Sequence, residues 1–113
     1  MNLSQYQKFC QTTALPQDDR DKEIMTWGLG IAGEAGDVAG CIKKTIGHKD
    51  SQIEGIRENL GDTLWYIAMI CNFYGWKLDD ILKENVNKLS KRYSKGLNFK
   101  AAAKRRRIDW NEK

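Results

Sequence analysis

From Ile24 onward, apolar residues return every three or four positions, at Trp27, Ile31, Ala35, Val38, Ile42 and Ile46. That spacing is one stripe down a single long helix. Acidic Asp18, Asp19 and Asp21 suit its positive end and Gly47 its stop, so the helix runs from near Arg20 to about residue 46. A shorter helix precedes it, from Leu3 to about Thr13, with Asn2 as cap, Gln5 completing a capping box and Pro16 in the loop that follows. Ser51 and Glu54 carry a second capping-box signature, opening a helix that reaches Asn72 or Tyr74 and ends at Gly75. Between Leu64 and Tyr74 this helix is apolar almost all round, which requires burial on several sides, by its own bundle or by a second subunit. A fourth helix starts about Leu78, holds Asp79 and Asp80 in its first turn, and continues to Tyr93 before Gly96. The expected fold is all-α, a four-helix-type bundle.

The chain has 113 residues, enough for one compact domain and too few for two. Its longest apolar run, Leu64 to Cys71, is far shorter than a membrane span, and the opening "MNLSQYQKFC" lacks the order of a secretory signal. A cytoplasmic location without a membrane partner is the expectation. Cys10, Cys41 and Cys71 form no CxxC pair and read as small buried hydrophobes. The net charge of +4 would suit a nucleic-acid partner, but "KAAAKRRR", Lys100 to Arg107, supplies most of it. Acids and bases nearly balance before Gly96, so the reading is a helical domain over 1–96 and a basic tail over 97–113, with no nucleic-acid face on the domain body.

The segment "LGIAGEAGD" places Gly30, Gly33 and Gly36 inside the long stripe, where each costs roughly 1 kcal/mol relative to alanine. Close approach of another helix or of a ligand would account for them. Glu34 and Asp37 are three apart and share a face bordering the stripe; Glu58, Asn59 and Asp62 are arranged equivalently on the next helix. Carboxylates that converge repel each other and are costly to desolvate, so they hold a cation or raise their own pKa values. Hard oxygen donors suit magnesium, or manganese. The plainer alternative is a set of solvated acids pairing with Lys43, Lys44 or Arg57. On the last helix Asn85, Lys88 and Arg92 fall on one face, two cations and an amide, which is phosphate-binding chemistry. Gly30 lies one turn before Glu34, and Trp27 and Trp65 stand near the acids, where either could stack on a base or simply belong to the core. His48, alone in a loop, reads as solvated.

"LGIAGEAGDVAGCIKK" followed by "ENLGDTLWYIAMICNFYGWKLDDILKENVNKLSKRY" resembles the MazG-like nucleoside triphosphate pyrophosphohydrolases of the all-α NTP pyrophosphatase superfamily. "LSQYQKFCQTTA" and "RYSKGLNF" are similar to that family's flanking segments. The resemblance implies an ExxE pair on one helix and an ExxD pair on the next, binding magnesium in a bundle completed by dimerisation, as a homodimer or a dimer of dimers. Glu34, Asp37 and Asp62 fall on the first, second and fourth of those positions. Asp37 keeps the charge of the usual glutamate with a shorter reach. The third position is Asn59, an uncharged ligand, and Glu58 one residue earlier is the alternative. The resemblance also implies that Asn85, Lys88 and Arg92 contact the triphosphate; from the chemistry of the triphosphate, a metal-bound water is expected to attack the α-phosphorus in line, with Glu58 as general base. The products would be a nucleoside monophosphate and pyrophosphate, in nucleotide-pool house-cleaning. Asn59 supports a rival reading, a nucleotide sensor that does not hydrolyse, and "KRRRIDWNEK" with Trp110 supports a nucleic-acid-binding module.

Overall fold

The computed structural model describes residues 1–15 and 17–94, which form four helices and, among the described residues, no strand: α1 (Leu3–Gln11), α2 (Arg20–Gly47), α3 (Ile53–Tyr74) and α4 (Leu78–Arg92). The basic tail expected over 97–113 lies outside the described residues. The chain divides into two units, the first ending at Asp79 and the second starting at Asp80.

In the first unit α2 packs along α3, and α1 lies against α3. The capping box at the start of α1 forms as expected. Gln5 N–H donates to Asn2 Oδ1 at 2.8 Å, and Asn2 N–H donates to Gln5 Oε1 at 2.9 Å. Asp19 caps α2, its Oδ1 accepting from the N–H groups of Asp21 (2.8 Å) and Lys22 (3.1 Å).

The connection between α2 and α3 departs from the expected pattern. α2 stops at Gly47 as expected, and Lys49 beyond it takes the left-handed conformation, at φ 51°. Ser51 does not cap α3. The cap position is Gln52, whose side chain makes no capping bond and donates instead to Asp50 Oδ2 at 3.1 Å, while its N–H donates to Thr45 Oγ1 at 2.9 Å, a tie to the last turn of α2. Gly75 closes α3 as expected, left-handed at φ 73°, with Trp76 N–H donating to Cys71 O at 2.9 Å.

The core of this unit is Cys10, Trp27, Ala68 and Met69, with Tyr6, Ala14, Ile24, Trp65, Tyr66, Ile70 and Phe73 packed around it. Trp27, Trp65 and Tyr66 meet edge-on or tilted, with centroids 5.0–6.1 Å apart. Such contacts add about 0.5–1.5 kcal/mol each beyond burial. Cys10 and Cys71 are buried by the helices, as expected, whereas Cys41 is half-buried.

The stripe on α2 does not stay inside. Trp27 is buried and Ile24, Ile31 and Val38 are half-buried, but Ala35, Ile42 and Ile46 are exposed. α3 likewise buries Ala68, Met69 and Cys71 while Leu60, Leu64 and Tyr74 remain about half exposed. A helical period records which side is apolar, and a covering layer decides how much of that side is buried.

Candidate functional site

Two close contacts set the register of α2 against α3. The ring of Tyr66 occupies the space that a Cβ at Gly30 would need. Farther along, a Cβ at Gly55 would stand 3.2 Å from Cys41 Sγ. The helices are antiparallel neighbours joined by a short connection, so each turn forward on α2 from Gly30 matches a turn back on α3 from Tyr66. Glu34 therefore falls level with Asp62, and Asp37 level with Asn59, before the seam reaches Cys41 and Gly55. Gly30 serves this seam directly: without a side chain it lets an aromatic ring lie against the backbone one turn from Glu34. A Cβ at Gly33 or Gly36 would meet nothing within 4 Å, so those two glycines leave an open surface on α2.

The electrostatics agree with this register. The Glu34 carboxyl is pushed above its ordinary range, first by desolvation and then by the negative charges of Asp62, Asp37 and Glu58. Glu34 is half-buried, while Asp37, Glu58 and Asp62 are exposed. Among the described residues no three acidic, histidine or cysteine side chains are gathered closely enough to hold a metal ion as they stand. The donor set still fits a hard divalent cation in kind: three carboxylates on adjacent turns of two helices, all oxygen donors, one of them already strained by its neighbours' charge. Exposed carboxylates keep the rotamer freedom to close on a cation.

Asn59 is half-buried, and its Nδ2 donates to Cys41 Sγ at 3.6 Å across the α2–α3 seam. Glu58 lines an open groove with Ser51, Gln52, Ile53, Glu54 and Gly55 at the start of α3. Trp27 is in the core, with its indole Nε1 buried and unpartnered, and Trp65 is half-buried with its Nε1 donating to Thr13 Oγ1 at 2.7 Å. Asn85, Lys88 and Arg92 lie on α4 in the second unit, at spacings of three and four that put them on one helix face.

One residue near the acids escapes a reading of sequence motifs. Tyr6, on α1, has its phenol pushed up to about 12 by burial first, by its hydrogen bond with Cys10 next, and in part by the charge of Asp62. It stays protonated at any physiological pH. The signal was available only as the shared face of Tyr6 and Cys10, four apart on an amphipathic helix. Which helix α1 would pack against is not written in that spacing.

A family model described as MazG nucleotide pyrophosphohydrolase domain matches residues 22–97. The chain is also 34% identical over 74 residues to the Gene 37 protein of Mycobacterium phage L5, a match covering 61% of this chain and 65% of the phage protein. No solved structure matches the chain.

Proposed function

The chain belongs to the MazG nucleotide pyrophosphohydrolase family, and from that premise we propose that it hydrolyses nucleoside or deoxynucleoside triphosphates to the monophosphate and pyrophosphate, in clearing the nucleotide pool. The observation that carries this reading is the elevated Glu34 carboxyl, level with Asp62 across a seam closed by Gly30 and Tyr66. A cation between these carboxylates would relieve the repulsion that raises Glu34.

Glu34, Asp37 and Asp62 would hold magnesium, or manganese, with Asn59 or Glu58 as the remaining ligand. The ion would neutralise phosphate charge and make water a stronger nucleophile. Glu58, when it is not a ligand, acts as general base and takes the proton of the attacking water. Lys88 and Arg92 bind the phosphate oxygens and stabilise the charge that grows on them during in-line attack at the α-phosphorus, and Asn85 orients the chain by hydrogen bonding. Trp65 is the more accessible of the two candidate tryptophans for stacking on the base, since Trp27 is buried and the space at Gly30 is taken by the Tyr66 ring.

A homodimer or dimer of dimers is part of the same proposal. It is supported by Ile42, Ile46, Leu60 and Leu64, apolar positions of α2 and α3 that the first unit leaves exposed. Among the described residues no helix is long and apolar enough to cross a membrane.

The test is incubation of the full chain with a panel of ribo- and deoxynucleoside triphosphates and magnesium, scoring monophosphate, pyrophosphate and orthophosphate. Monophosphate with equimolar pyrophosphate is the expected result, and Asp62→Asn should lower turnover by about a hundredfold or more while leaving the fold intact. Orthophosphate release would place the cleavage at another bond. The sensor reading is favoured by Asn59, whose carboxamide is engaged with Cys41; nucleotide binding without turnover would select it.

A further inference from the structure

Gln7, on the half-buried side of α1, spends its whole amide on one short stretch of chain. Its Nε2 donates to Asn72 Oδ1 at 3.0 Å and to the backbone carbonyl of Trp76 at 2.7 Å. Its Oε1 accepts from the N–H of Leu78 at 3.0 Å, and its backbone carbonyl accepts from Asn72 Nδ2, also at 3.0 Å. The polarity of the amide is fully determined, because a backbone carbonyl can only accept and a backbone N–H can only donate. Leu78 is the first residue of α4, and its N–H has no partner within the helix, so Gln7 caps α4 from a distant helix. These bonds are not the whole of what joins α1 to α3. Cys10 is already buried in the core with Ala68 and Met69, and Trp65 is tied to Thr13.

We propose that Gln7 is a positioning residue, whose clamp on the turn from Asn72 to Leu78 fixes where α4 begins and so prepares its Asn85, Lys88 and Arg92 face to bind polyphosphate. This rests on the phosphate-binding reading of α4 given above. Asparagine is one methylene too short for these contacts, glutamate lacks the donor that the Trp76 carbonyl receives, and methionine has no strong hydrogen bond to offer. The bonds reach only as far as Leu78, at the end of the first unit, so what they determine is the start of the helix.

The test titrates inorganic tripolyphosphate, with magnesium, into the full chain by calorimetry, for the unsubstituted protein, Gln7→Met, Gln7→Glu and Asn2→Ala. Asn2→Ala loosens the start of α1 without touching the clamp. Both Gln7 variants should bind about fivefold more weakly or worse, the size of one lost hydrogen bond, while Asn2→Ala binds as the unsubstituted chain does. Amide exchange read on the same samples should show lost protection at Leu78 and the following turn, with the α2 and α3 amides unchanged. The Gln7→Glu deficit should shrink as pH falls through the ordinary carboxylate range, since a protonated acid regains a donor. Unchanged affinity in both variants overturns the role of Gln7 while leaving the phosphate-binding reading standing. Loss in Asn2→Ala equal to that in the Gln7 variants also overturns it, by reducing the effect to general loosening of α1. Failure of the unsubstituted chain to bind tripolyphosphate overturns the reading of α4 and the inference together.

Discussion

The two ends of the α2–α3 pair have similar apolar sequences and opposite fates. Near the start of α2, Trp27 is 5% exposed, wedged between Trp65 and Tyr66 with α1 as a third layer. Near its end, Ile46 is 75% exposed, and Ile53 across the connection is 54% exposed. The same stripe is core where a third helix covers it and surface where none of the first unit does. Between these ends lie Glu34 and Asp62, so the candidate site sits where packing gives way to an open surface.

The sharpest way to break this contrast is Trp27→Ala, which should cost about 3–5 kcal/mol in urea unfolding, because the surrounding aromatics cannot collapse into the void. Gly30→Ala should come next, at about 1–3 kcal/mol, since the new methyl must displace the Tyr66 ring. Adding Tyr66→Ala should make that cost non-additive, and strict additivity in the double-mutant cycle would mean that the two do not touch. Glu34→Gln should raise the melting temperature at neutral pH without divalent ions, while removing turnover. The sign follows from the elevated carboxyl: ionised Glu34 is disfavoured in the folded state, so the glutamine gains relative to it wherever the carboxylate is charged. That gain should fade as pH falls through the elevated Glu34 value and the native acid takes up its proton. The smallest effect belongs to Ile46→Ser, within about 0.5 kcal/mol for a residue already in solvent. If Ile46 is covered in a dimer, the same substitution should instead make sedimentation and melting depend on protein concentration.

Most of the helical pattern could be read in advance because it rests on local terms. The Asn2–Gln5 capping box, the Asp19 cap and the left-handed Gly75 each involve residues within a turn of one another. The expectation that failed was the Ser51 cap: α3 starts one residue later, capped at Gln52, whose N–H is tied to Thr45 in the last turn of α2. For the site, the spacing of Glu34 and Asp37, and of Asn59 and Asp62, could be read as shared faces. Which acid stands level with which could not, because register depends on where Tyr66 finds a glycine to lie against.

By itself the sequence determined four helices, the capping box of α1 and the glycine that ends α3, the side of each helix that is apolar, and the family to which the chain belongs. Tertiary structure alone decided how far along α2 the apolar stripe is buried, that Tyr6 shares the electrostatics of Asp62, and that Gln7 holds the first N–H of α4. The physical reason is range. Helix propensity and capping act over a few residues along the chain, whereas burial, charge coupling and a cap supplied by another helix exist only once distant segments are brought together.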